Sequence, residues 1–370
     1  MMEERTAHSD RITKPVDISE DLITRGVRIC RQDIDKQAHH EFPRNPVQVP
    51  GQLPALGLGS LPQVTSLGDT MKNFFWFVFF ILFGLTSLAY GKSPVWKVCS
   101  SNHCIYVAGS VHLLQEGTDL PIAFVAALNN SDHLVLESFN DPNITPKLLP
   151  FGEKLSDQLS SEVLLKIDEL ITRIHFTSKR IIPNEELIKS ERSSPEHINI
   201  MNGLQATNPY VAMNMISSFK YSMAGYMSND GVEAIVTKYA KNRKMEILYL
   251  EQPYYTYIVM GQMKGYGDNY VLGLINSGFG LNVMPIVVDE WMRGEGAAIL
   301  QDNLELRNDS PAVYKATVVD RNANWLPQIV NFLKTSKRVF VVVGFSHLIN
   351  PENGLLESLR KLGYSVEQMP

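Results

Sequence analysis

Val339-Phe340-Val341-Val342-Val343-Gly344-Phe345-Ser346-His347 reads as a buried strand that ends in a tight turn and delivers a histidine just beyond it. Five apolar residues in a row, four of them valine, follow Lys337-Arg338 and are closed by glycine, which is strand length and strand composition. The same device occurs far upstream, where Ile105-Tyr106-Val107-Ala108 runs into Gly109-Ser110-Val111-His112. Composition alone, with 9 His and 24 Gly in 370 residues, gives roughly half a Gly-x-x-His match by chance, so the preceding strands carry the argument. Strands of this kind imply an α/β protein, whose ligand sites lie at strand carboxyl ends. Both imidazoles are then candidates for one rim of one sheet, and for metal binding or acid–base chemistry. The bland alternative is a pair of histidines that close turns or hydrogen-bond in a core.

Working outward, Trp96-Lys97-Val98 and Ile105-Tyr106-Val107 bracket a polar turn. Asp119-Leu120-Pro121 starts a short helix through Phe124–Leu128, and Leu134-Val135-Leu136 is a further strand with Glu137 at its exit. That is a β-α-β layout with both strand exits on one edge. Residues 155–174 carry apolar side chains at spacings of three and four, an amphipathic helix capped by Ser160 or Ser161. Residues 177–204, polar and holding Pro183 and Pro195, read as a loop or lid. Residues 208–240 read as helix interrupted near Asn229-Asp230-Gly231, and 254–302 as mostly helical. Between them Glu246–Leu250 is a strand, with Glu251 at its end as Glu137 is at the other. Arg321–Trp325 begins a helix through Leu333, and Asn350-Pro351 opens a last one with Leu355, Leu356, Leu359 and Leu362 inward, stopped by Gly363. The expected fold is therefore α/β, a central mixed, largely parallel sheet flanked by helices, in two loosely similar halves that share one active centre.

The chain is 44% hydrophobic and 20% charged with a net charge of −5, which argues against nucleic acid as a partner. Residues 73–89 are uncharged and strongly apolar, follow Met71-Lys72 and end in small residues, the pattern of a signal peptide over 71–91. The alternatives are a membrane anchor, which would be the only membrane contact, or a buried helix. Residues 1–70 then form either a disordered extension or the product of a misassigned start, and Met71-Lys72-Asn73 favours the second. The domain proper is 92–370. Export makes a Cys99–Cys104 disulfide across the hairpin turn plausible; free thiols, or metal binding with His103, are the alternatives. Asn129 and Asn143 head glycosylation sequons.

His112, Glu137 and His347 on one edge make a two-His, one-carboxylate set able to hold a divalent cation with positions left open. Gly109 and Gly344 supply the sharp strand exits. Arg321 is the candidate fixed cation for a developing oxyanion or a substrate carboxylate; the bland alternative is a surface arginine near a helix start, which the dipole mildly disfavours. Glu251 is read as a fourth ligand, a general base or a strand-end carboxylate. His103 and His133 are read as solvent-exposed, Trp291 and Trp325 as core anchors, and Tyr254-Tyr255-Thr256-Tyr257 as packing or groove lining.

At these residues the chain resembles the TraB/GumN family, which includes the Tiki metalloproteases. The resemblance spans about 95–370 and rests on the order of its landmarks. These are Val95–Val98, the first box with Leu113-Leu114, Leu134–Glu137, Gly231-Val232-Glu233, Leu250-Glu251, Trp291–Glu295, Arg321-Asn322, the second box with Leu348, and Leu362-Gly363-Tyr364. It implies an EreA/ChaN-like α/β fold with both boxes at one centre, and marks His112, His347, Glu137 and Arg321. It also implies a divalent metal (Mn, Co or Zn) and hydrolysis of extracellular peptides, in the periplasm or envelope if the source is bacterial. Ser110 stands where Thr is frequent, and Glu233 where many relatives carry Asp. Ligand binding without catalysis, to a peptide or haem, and ester hydrolysis are the other functions weighed.

Overall fold

A computed structural model describes residues 92–139, 148–150, 152–277 and 283–370. The segment 73–89 and all of 1–70 lie outside the described residues, as does Asn143. Among the described residues no helix is long and apolar enough to cross a membrane.

The stretch Val339–Gly344 is a strand, and every residue of it is buried. It is β7 of a six-stranded sheet in which β1 is Val95–Cys99, β2 Cys104–Ser110, β4 His133–Leu136, β6 Glu246–Tyr249 and β8 Ser365–Gln368. The order is β6-β4-β7-β2-β1-β8. Strands β6, β4, β7 and β2 are mutually parallel, and β1 alone runs against its neighbours. A valine run suits β7 because a central parallel strand is covered on both faces, whereas β6 at the edge is half-exposed. The register sets Ser110 beside Gly344 and Leu136 beside Val342, so four strand exits open on one edge. A two-stranded ribbon pairs β3 (Leu114–Gln115) with β5 (Tyr226–Met227).

Among the described residues, buried side chains form two clusters. One is centred on the sheet, with Phe124, Val236, Trp291, Trp325 and Leu359 packed on the strands. The other is all-helical, from Leu155 through helix Ser161–Ser178, helix Pro209–Ser222 and helix Gly267–Asn276. Ser160 is the cap of helix Ser161–Ser178, accepting the Val163 N–H.

Several expectations are corrected. Residues 177–204 are not a lid loop: they hold helices Glu185–Arg192 and Pro195–Leu204. Asn184 and Ser194 cap them, and Pro195 sits at the first helical position, where the missing N–H is harmless. The last helix begins at Leu355 rather than Asn350, and Leu362, 56% exposed, lies past its end. Gly363 does take the left-handed conformation there, at φ 86°. Helix Asp320–Phe332 does not begin at Arg321, since a π-helical turn Lys315–Val319 leads straight into it. His103 and His133 are half-buried; His103 Nε2 contacts the Lys337 carbonyl and His133 Nε2 pairs with Glu246. Cys99 and Cys104 are register partners with sulfurs at bonding distance, 2.09 Å.

Candidate active centre

The four parallel strand exits deliver His112 after β2, Glu137 after β4, Glu251 after β6 and His347 after β7. Gly344 marks where they meet. A Cβ built on it would lie 3.1 Å from Glu137 Oε1, 3.4 Å from His347 Cδ2 and 3.7 Å from His112 Nε2. Its backbone N–H donates to Glu137 Oε1 at 2.5 Å. Gly344 is thus a glycine because the carboxylate and both rings crowd the space a side chain would take. Gly109 faces the same constraint from the ring of Phe345, into which a Cβ would run. Trp291, fully buried, donates its ring N–H to the Gly109 carbonyl at 2.7 Å and so fastens the first turn to the core.

The two histidines are oriented alike and charged differently. His112 Nδ1 pairs with Glu233 at 2.8 Å, leaving Nε2 toward Gly344. Ser110 donates to the same Glu233 oxygen. The Glu233 carboxylate pushes His112 up to about 9, so the ring is a cation at neutral pH although it stays open to water. His347 is 4% exposed, and burial pulls it down to about 3. Its tautomer follows from its partners. Asn322 donates its amide N–H groups to the carbonyls of His347 and Asn353, so its Oδ1 accepts from His347 Nδ1 at 2.8 Å. His347 Nε2 therefore carries a lone pair, which accepts from Arg321 Nη1 at 3.1 Å.

Arg321 joins the set from the helix side. Its Nη2 reaches Glu137 Oε2 at 2.5 Å and Glu251 Oε1 at 2.7 Å, and its Nε reaches Glu251 Oε2 at 3.1 Å. The guanidinium lies 4.5 Å from the Trp325 ring centre, and Trp325 donates to Glu251 Oε2 at 3.2 Å. Burial opposes the arginine's charge, but Glu137 and Glu251 outweigh it and hold Arg321 protonated. Burial likewise opposes ionisation of Glu137, yet Arg321, His347, His112 and the Gly344 N–H hold it down to about 2. Burial pushes Glu251 up. Tyr210, from the helical cluster, is raised by burial and feels Arg321, Glu137 and Glu251, so that cluster borders the centre.

All five candidate polar residues therefore come together. The sequence model of the TraB/PrgY/gumN family matches residues 94–368, which is most of the chain. The chain belongs to the TraB/PrgY/gumN family. No curated protein and no solved structure matches it significantly. In this TraB/PrgY/gumN member, sequence reasoning passed over three contributors. Glu233 was only a landmark, Asn322 only the neighbour of Arg321, and Trp325 only a core anchor. A carboxylate and an amide that orient histidines leave no local spacing signal, because their partners lie far away in sequence.

The donor set fits a divalent cation in kind, two imidazoles anchored through Nδ1 beside a carboxylate, with His347 Nε2 taken by Arg321. It is not gathered as a metal cage, for among the described residues no three His, Cys, Asp or Glu side chains form a metal-holding group.

Proposed function

We propose that the chain is an exported, divalent-metal-dependent hydrolase acting on peptides, with His112, Glu137 and His347 as the metal-holding residues. The observation that supports it is the pair of Nδ1 anchors, Glu233 for His112 and Asn322 for His347, on two rings that flank Gly344 beside Glu137. Orienting partners of this kind are what metal-ligating histidines use. When bound, a divalent cation supplies Lewis acidity, polarising a carbonyl and acidifying water. Arg321 is a fixed cation for the developing oxyanion, and Glu251 with Trp325 aims it. Family membership supports the reading in coarse form only. The cleavable segment 71–91 and a domain of 92–370 belong to this proposal, as does a periplasmic or envelope location, or a membrane anchor if 73–89 is retained. So do an EreA/ChaN-like ancestry and the loose likeness of the two box-bearing halves.

Metal analysis of purified protein, with His112→Ala and His347→Ala beside it and peptide cleavage followed with and without chelator, tests the assignment. Wild type should carry metal and cleave; both variants should lose at least about tenfold in affinity and turnover. Full metal content and activity in both variants would remove the proposed centre. Ester turnover untouched by chelator would favour an esterase, and tight binding of peptide or haem without turnover a ligand-binding envelope protein.

A further inference from the structure

Arg321 bonds to the very atoms that the metal reading needs. Its Nη2 is on Glu137 Oε2 and its Nη1 on His347 Nε2. An imidazole nitrogen has a single lone pair, so His347 Nε2 cannot accept from Arg321 and ligate a cation together. Glu137 is engaged as well, Oε1 by the Gly344 N–H and Oε2 by the guanidinium, whose positive charge opposes a second cation at that carboxylate. Two buried carboxylates, Glu137 and Glu251, face this one arginine, and carboxylates so buried need a cation beside them. We propose that Arg321 is the resident counter-cation of the centre and competes with the divalent ion for Glu137 and His347; the inference rests on the metal-centre reading above.

The site also contains the place to which Arg321 withdraws. Glu251 holds it through two bonds, at 2.7 and 3.1 Å, that involve neither Glu137 nor His347, and Trp325 covers its face. With a divalent ion bound, Arg321 would give up its contacts to Glu137 and His347 and keep the bidentate one to Glu251. Glu251 is then a positioning residue, keeping the guanidinium close enough to serve the reaction yet off the donor atoms. Apparent metal affinity falls by the fraction of molecules in which the donors are uncovered, so cover in nine of ten molecules weakens binding by about tenfold.

The test is Mn²⁺ titration by calorimetry of wild type and Arg321→Ala, each checked for fold by circular dichroism. Arg321→Ala should bind Mn²⁺ about tenfold more tightly or better. Millimolar guanidinium should then weaken its binding, as a competitor entering the vacated space, and sodium chloride of equal strength should not. Should Arg321→Ala fail to fold, Arg321→Lys keeps the charge without the planar fork and should bind Mn²⁺ more tightly than wild type. Equal or weaker binding by the variant, or guanidinium no different from salt, overturns the competition while wild-type binding leaves the metal reading standing. If no form binds Mn²⁺, the two fall together.

Discussion

Glu233 lies 2.8 Å from His112 Nδ1 and takes the Ser110 hydroxyl as well, so one carboxylate fixes the ring's tautomer, orientation and charge. Replacing it by glutamine leaves a hydrogen-bonding group of the same size and removes the charge. Glu233→Gln should fold and lower metal affinity or turnover by about 10–100-fold, read by calorimetry and peptide cleavage. A variant indistinguishable from wild type would show that His112 is not oriented through Glu233. Gly344 makes the complementary case, where the demand is for empty space. Gly344→Ala adds a methyl 3.1 Å from Glu137 Oε1 and must push the carboxylate aside. About a hundredfold loss of turnover is expected, with a melting temperature little changed.

At the scale of the element, the strands were readable because their chemistry is local. The valine run of β7 and the glycine after it carry their own strand and stop signals. Helices Glu185–Arg192 and Pro195–Leu204 were equally encoded, by Asn184 and Ser194-Pro195, but prolines read as breakers hid helix starts. Helix Pro209–Ser222 carries Lys220, 2% exposed, whose charge burial holds down to about 8 from an ordinary 10.5. The sign follows: the folded chain is penalised while Lys220 is charged, and stability rises between pH 8 and 10.5 as the folded form sheds the proton first. Lys220→Met should therefore be more stable by about 1–3 kcal/mol below pH 8, a gap that closes toward pH 10.5 in denaturant melts. A gap constant with pH would mean that the charge is not the cause.

For the whole molecule, the hairpin β1–β2 comes first in the described sheet and its turn is closed by Cys99–Cys104. The loop is short, so the cross-link removes little chain entropy. Cys99→Ser should cost about 2 kcal/mol in urea unfolding, without loss of metal binding. An unchanged midpoint would show that the two thiols are not paired.

Strand identity, the two Gly-x-x-His boxes, the strand-end glutamates and the α/β class were all legible along the chain, because each rests on neighbouring residues. The pairing of β7 between β4 and β2 decided the rest, by bringing residues from four exits and a distant helix within hydrogen-bonding reach. Only that packing shows Arg321 lodged on Glu137 and His347, Glu251 and Trp325 holding Arg321, and Glu233 and Asn322 turning the imidazoles. Contacts between groups up to 207 residues apart leave no period in a sequence; they exist once the sheet has formed.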